Sequence, residues 1–471
     1  MRARGWAAVI AGAALALGYA AADAADVVPG FLTRAEPWAV PEPFPTVVLD
    51  PVPAAGQILA NLPEDAPLPD PEHLARLADQ LISEPAAAGG LGVVVVDVLT
   101  GQVLLDVAAA QPRVPASTLK LLTTTTALTS LGPQTRLSTS VVLAPGETEQ
   151  GGEPTVYLVG GGDVLLAAGE GDPEAVVGRA GLGDLAAATA AELAGRGVGS
   201  VRLALDDTAF TGPAKAEGWG PVDLLFVSPV SPIAVDRGIL PGGAGRQPDP
   251  ALAAAGDFAR ALQTAGLVLV GDVTRQPSPT DGVVIAAVDS APVSELVEHT
   301  LTTSDNDVAE ALGRAAALAQ GLDGGFSGAA AAVRDALDAA ELDASGLVMA
   351  DASGLSEQDA AAPLLLARLL ARAATPGRAD LLPVVTGLPV AGLEGTLESR
   401  FTGFDDPAAG VLRAKTGTLL TVAALAGLVA DADGRLLAFA VIADRVPVGS
   451  LGPARAAIDS WVSSLAACGC R

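Results

Sequence analysis

The sequence is poor in the side chains that most often carry chemistry. Two cysteines and two histidines occur in 471 residues. Cys468 and Cys470 sit in a terminal Cys-Gly-Cys-Arg run, and His73 and His299 lie far from them and from each other, so no zinc-type ligand spacing exists. A ring closed across C-x-C is tight and strained, so the cysteine pair carries no assigned function. No metal and no cofactor is expected. Since neither histidine stands in a motif, a nucleophilic serine in this chain needs another kind of base. Aromatic residues make up 3%, so cores must be built from Ala, Val and Leu. Basic residues are also scarce, with 27 Lys and Arg against 54 Asp and Glu, a net charge of -27. Such a surface repels phosphate backbones and anionic headgroups, which excludes nucleic acid as a partner.

What the chain does contain begins at its N-terminus. Arg2 and Arg4 precede an apolar run from Trp6 to Ala22, with small residues at Ala20, Ala22 and Ala24. This is the pattern of an export signal, and the run falls short of the roughly 20 residues a membrane helix needs. Residues 1–26 therefore read as a signal peptide in preference to a retained anchor. Either reading places the remainder outside the cytoplasm, secreted or anchored at the cell envelope, with membrane contact only if the segment is retained. No later stretch is long and apolar enough to cross a bilayer. Prolines crowd residues 27–71, which excludes regular helix and sheet and predicts a semi-extended tether.

Folded structure is expected from Glu72, with an amphipathic helix through His73, Leu74, Leu77 and Leu81 and with His73 exposed. A hairpin follows, Leu91–Val98 and Gln102–Val107 around Gly101, and its unbroken valines predict a strand covered on both faces. Pro115 and the apolar spacing after it predict a helix starting near Ala116. Near the C-terminus, Val422–Ala430 and Leu436–Ala443 read as strands, and a helix from Pro453 to about Ala467 as the last element. These two ends, 72–142 and 284–471, supply one α/β sandwich. The middle, 143–283, mixes strands (Val156–Val159, Val201–Leu205, Leu267–Val273) with helices and reads as an inserted domain.

Three short blocks stand out. Ser117-Thr118-Leu119-Lys120 puts a serine and a lysine three apart on one helix face, in a first turn whose free N–H groups favour negative charge. A desolvated lysine can act as the base, and a second cation such as Lys415 helps to lower its proton affinity. Ser304-Asp305-Asn306 offers a hydroxyl to relay a proton between Lys120 and a leaving amine, and an amide to hold Lys120 and substrate. The same block suits a helix N-cap, and both roles can coexist. Lys415-Thr416-Gly417-Thr418 begins a strand: Lys415 and Thr416 can bind a carboxylate, and Gly417 leaves room for substrate backbone. The N–H of Thr418, with that of Ser117, can form an oxyanion hole. Each block alone is weak. Together, in this order and on these elements, they describe an acyl-transfer site.

The set resembles the signature of class A β-lactamases and penicillin-binding proteins. Ser117 and Ser304 are 187 positions apart (304 − 117), far more than in a class A β-lactamase. That gap, Tyr157-Leu158-Val159-Gly160-Gly161-Gly162-Asp163, the stretch from Val293 to Asn306, and Gly395-Thr396-Leu397 with Arg400 resemble the class C low-molecular-mass penicillin-binding proteins. These are the D-alanyl-D-alanine carboxypeptidase/endopeptidase family, and the likeness runs from about Glu72 to the C-terminus. Asp351-Ala352-Ser353-Gly354-Leu355-Ser356 resembles that family's Asp-Gly-Ser-Gly-Leu-Ser with Ala352 in place of a glycine, which predicts a local backbone shift. The resemblance implies a penicillin-binding/transpeptidase-like sandwich, an antiparallel sheet covered by helices, with a large mixed α/β insertion. It also implies a serine-type D-Ala-D-Ala carboxypeptidase or D,D-endopeptidase of peptidoglycan stem peptides, covalently inhibited by β-lactam antibiotics. A β-lactamase and a catalytically silent peptidoglycan-binding envelope protein stay open as alternatives. The mechanism leaves His299 no role, and it is taken as structural.

Overall fold

The valine run becomes β1 (Leu91–Asp97), and every residue of that strand is buried. Alternate valines enter different cores, Val94 and Val96 on one face and Val93 and Val95 on the other. Side chains alternate across a strand, so an unbroken apolar run is what a two-sided burial requires. The computed structural model describes residues 2–28, 32, 65–146, 153–243 and 245–469. The chain divides into two units, Met1–Ala60 and Asn61–Arg471. In the first, α1 (Arg2–Ala24) is helical and Asp23 accepts a hydrogen bond from the Leu32 N–H. Among the described residues no helix is long and apolar enough to cross a membrane. Most of the proline-rich tether and Cys470 lie outside the described residues.

The second unit opens with α2 (Pro71–Ile82), β1, β2 (Val103–Val107), α3 (Lys120–Leu131), β3 (Arg136–Leu143), β4 (Thr155–Val159), β5 (Asp163–Leu166), α4 (Leu182–Gly195), β6 (Ser200–Asp206) and β7 (Ile233–Val235). It continues through α5 (Pro250–Thr264), β8 (Val268–Leu269), β9 (Thr274–Arg275), β10 (Val283–Pro292), α6 (Val293–Thr303), α7 (Asn306–Ala319), α8 (Phe326–Ala339), α9 (Pro363–Ala374) and α10 (Leu382–Thr386). The chain closes with β11 (Arg413–Leu419), β12 (Val422–Ala430), β13 (Leu436–Ala443) and α11 (Leu451–Ala466).

The first sheet has the order β11-β12-β13-β1-β2, antiparallel throughout, so the first and last strands of the second unit's sandwich segments join where β1 pairs with β13. One face packs on α3, α6, α7 and α9, the other on α2 and α11. Pro71 at the start of α2 and Asp70, whose carboxylate accepts from the Glu72 N–H, explain why the helix begins there. His73 on that helix is half-buried rather than exposed, with Arg76 Nη2 3.5 Å from its Nδ1.

The second sheet has the order β10-β3-β4-β6-β8, with β9 beside β6, and mixes antiparallel and parallel pairs. Strands β3 and β10, which flank residues 143–283, belong to it. Its core is Val156, Leu158, Val201, Leu203 and Leu205 against Leu185, Leu193 and Phe258 of α4 and α5. The expected strand Leu267–Val273 is reduced to Val268–Leu269, because Gly271 takes a positive φ of 80° and turns the chain. The glycines 160–162 form a turn, the N–H of Gly160 donating to the Asp206 carbonyl and that of Gly162 to the Pro232 carbonyl.

Candidate active site

Ser117 stands on a tight 3₁₀ turn, Ala116–Leu119, which runs directly into α3. Ala116 has φ 48°, a left-handed value that costs a non-glycine residue energy and persists only when its surroundings enforce it. Two glycines do so. A Cβ added at Gly354 would lie 2.0 Å from the Ala116 carbonyl oxygen, and one at Gly417 would lie 2.7 Å from that of Pro115. On its Cβ side Gly417 thus makes room for the nucleophile's own turn.

Lys120 is fully buried, and its Nζ reaches three acceptors: Ser117 Oγ at 3.1 Å, Asn306 Oδ1 at 2.6 Å and the Ser353 carbonyl at 2.6 Å. All three ammonium donors are thus used. Ser117 stays half-exposed, so an attacking oxygen faces solvent while its base does not. Burial pulls Lys120 down from the ordinary lysine range to about 8, opposed chiefly by Asp351. The repulsion expected between Lys415 and Lys120 is present. Burial and then repulsion from Lys120 hold Lys415 well below its usual range.

Ser304 ends α6 in a left-handed conformation, φ 63° and ψ 38°. Its hydroxyl accepts from Lys415 Nζ at 2.9 Å, and Lys415 also donates to the Thr416 carbonyl at 3.0 Å. Asp305 is the residue that caps α7, accepting from the Val308 N–H. Burial raises its carboxyl, but hydrogen bonds from His299 and Val308 hold it below the usual carboxylate value. His299 Nε2, 3.2 Å from Asp305 Oδ2, thus anchors the cap and has the structural role expected of it. The Asn306 amide is fixed at both ends, with Oδ1 on Lys120 and Nδ2 donating to the Phe226 carbonyl at 3.0 Å.

Strand alternation separates two residues expected to act together. Lys415 reaches Ser304 and Gly417 faces the turn that carries Ser117, whereas Thr416 points to the other side of β11 and its hydroxyl pairs with that of Thr396 at 2.9 Å. β11 is an edge strand, and the N–H of Ala414 leaves it for the Pro389 carbonyl. By the same alternation the N–H of Thr418 lies along that open edge, and Thr418 is exposed.

Several residues at the site carried little signal in the sequence. Ala352 replaces a glycine without a positive φ, and Gly313 of α7 makes room for it, since a Cβ there would lie 2.8 Å from that of Ala352. The expected backbone shift is absorbed in this way. Glu310 accepts from the Ala352 N–H, and the Ala352 carbonyl accepts from Thr123 Oγ1. Asn306, Glu310 and Arg314 recur every four residues on α7, a polar stripe in an otherwise Ala- and Leu-rich helix. That stripe was the available signal. Arg314 donates to the carbonyls of Thr211, Pro213 and Gly324 and lies 4.3 Å from the Phe326 ring centroid.

The arrangement joins a serine, a buried lysine base, a second serine on a second lysine, and an edge strand with free N–H groups. Its chemistry is acyl transfer through serine. Comparison with known proteins agrees. The model of the D-Ala-D-Ala carboxypeptidase 3 (S13) family matches residues 74–247 and 244–465. A carboxypeptidase of Mycobacterium tuberculosis is 38% identical over 385 residues, 80% of each chain. Carboxypeptidase DacB of Mycolicibacterium smegmatis is 37% identical over 476 residues, 98% of this chain and 95% of the relative. Among solved structures, penicillin binding protein 4 from Haemophilus influenzae superposes with a TM-score of 0.68 at 23% identity. The match covers 83% of this chain and 98% of that one, and it shows the shared fold.

Proposed function

The chain belongs to the D-Ala-D-Ala carboxypeptidase 3 (S13) family of serine peptidases, and on that premise we propose that it trims peptidoglycan stem peptides through an acyl-Ser117 intermediate. The observation that carries this reading is the 3.1 Å contact between Ser117 Oγ and a fully buried Lys120. Neutral Lys120 takes the Ser117 proton as Oγ attacks the carbonyl of the penultimate D-alanine. The N–H groups of Ser117 and Thr418 receive the developing oxyanion. Ser304, held by Lys415, relays the proton to the departing D-alanine amine. Lys415 binds the substrate's terminal carboxylate, and Asn306 holds the substrate amide. Water then hydrolyses the ester with Lys120 again as base. Cross-link cleavage by a D,D-endopeptidase step would use the same groups.

β-Lactams acylate the same serine in this scheme; a solved structure of the Haemophilus penicillin binding protein 4 is itself a β-lactam complex. Residues 1–26 act as an export signal, placing the enzyme outside the cytoplasm. Residues 143–283, with β3 and β10 beside them, act as an inserted module. The test is labelling by a fluorescent penicillin together with D-alanine release from a pentapeptide, wild type against Ser117→Ala. A stable wild-type adduct with D-alanine release supports the proposal. Rapid penicillin turnover would select a β-lactamase instead, and absence of both label and release would overturn the catalytic reading.

A further inference from the structure

Behind Lys120 lie three carboxyls that the acyl-transfer scheme does not use: Glu310, Asp351 and Asp359, each at most 3% exposed. They are not equivalent. Asp351 accepts five hydrogen bonds, from the N–H groups of Ser353 and Gly354 and the Ser353 hydroxyl on Oδ1, and from the Ser356 N–H and Trp219 Nε1 on Oδ2. Every partner is a donor, which is the environment of an anion. Glu310 Oε2 and Asp359 Oδ2, by contrast, are buried with no hydrogen-bond partner. An oxyanion left so would be costly, whereas a neutral carboxylic acid is tolerated. Burial, then the Asp351 charge, pushes Asp359 up to about 10 and Glu310 up to about 8.

One peptide group joins Asp351 to the base. The Gly354 N–H donates to Asp351 Oδ1 at 2.6 Å, and the carbonyl of the same peptide, that of Ser353, accepts from Lys120 Nζ at 2.6 Å. The anion thus sits at the positive end of that peptide dipole and the ammonium at its negative end. Trp219, from the module between β6 and β7, holds the far carboxylate oxygen at 2.8 Å. Its ring is fixed edge-on against Phe326.

We propose that Asp351 is a positioning residue for this reaction, the counter-ion that orients Lys120 through the Ser353–Gly354 peptide, and that Trp219 fastens it there. The proposal rests on Lys120 being the base. The other groups facing Lys120 are Lys415 from β11, Asn306 and Glu310 from α7, Asp305 from its cap, and Asp359 from the Asp351 loop. Arg314 and His299 stand behind Glu310 and Asp305. Among these Asp351 is the largest influence favouring the protonated lysine.

The experiment is the pH profile of penicillin acylation for wild type, Asp351→Asn, Trp219→Phe and Asp359→Asn, with folding checked by circular dichroism. Removing the Asp351 charge favours neutral Lys120, so the acid limb moves to lower pH by about one unit while the plateau rate falls. Trp219→Phe keeps the charge but loosens it, so the rate falls about 3- to 10-fold with the limb in place. Asp359→Asn copies a neutral acid and leaves the limb where it is. An unmoved limb in Asp351→Asn overturns the proposal, as does a shift of equal size in Asp359→Asn. Should Asp351→Asn not fold, a wild-type acylation rate in Trp219→Phe overturns it. Absence of acylation in the wild type would instead defeat the underlying reading.

Discussion

The first sheet is buried on both faces, so nearly every residue of β1, β12 and β13 meets a core, while the second sheet keeps residues such as Arg202, Val283 and Val284 in solvent. The difference follows from what covers each. Helices lie on both sides of the first sheet, but α4 and α5 supply the main core of the second. The first region can therefore bury Lys120 and Lys415 completely and shift their proton affinities, which a half-solvated sheet could not do. The second region still reaches the site. Phe226 and Trp219 hold Asn306 and Asp351, and the N–H of Ser228 and Arg246 both donate to Asp307. Chemistry belongs to one region, and part of its geometry is borrowed from the other.

Lys120→Met should break that division most sharply. Removing the base should lower penicillin acylation by on the order of 10³-fold or more, while near-native circular dichroism shows the fold intact. In the second core, Leu158→Ala should cost about 2–5 kcal/mol in denaturant unfolding, yet acylation per folded molecule should stay close to wild type. If acylation fell in proportion to stability, the two regions would not be separable. A paired glycine test comes next. Gly354→Ala, where the new Cβ meets the Ala116 carbonyl at φ 78°, should cost about 1–3 kcal/mol and slow acylation on the order of tenfold. Gly199→Ala, with open space around it, should do neither.

The one effect that leaves acylation untouched and depends on pH concerns Asp163 on β5. Burial raises its carboxyl to about 7, with only the Leu165 N–H opposing. A folded value above the ordinary one means that its contribution to stability is full below the carboxylate range and is lost as pH rises through about 7. Asp163→Asn should therefore be more stable than wild type at pH 8, by about 1–4 kcal/mol, with the gap closing toward pH 4. Melting temperatures of the two proteins at both pH values measure it.

The first region was the more legible in the sequence, for a physical reason. Two-sided burial demands continuous apolar strands, and the runs at Val93–Val96, Val422–Ala430 and Leu436–Ala443 emerged as β1, β12 and β13. The second sheet was harder, because short strands such as Val268–Leu269 depend on which glycine turns the chain. At the site, the three blocks come together around Lys120 and Lys415. Thr416 parts from Lys415 there, since its hydroxyl pairs with that of Thr396 while Lys415 holds Ser304. The carboxyls behind Lys120 were legible only piecewise, Glu310 in the polar stripe of α7 and Asp351 in its own segment, because the two are distant in sequence and meet through packing of a loop on α7.

The central claim is that a buried, partly neutral Lys120 activates Ser117. The most direct measurement is the wild-type rate of penicillin acylation across pH 5 to 10. The account predicts an acid limb near 8, where burial places Lys120, with acylation slowing about tenfold for each unit below it. A rate independent of pH through that range, or a limb in the ordinary carboxylate range, would contradict it.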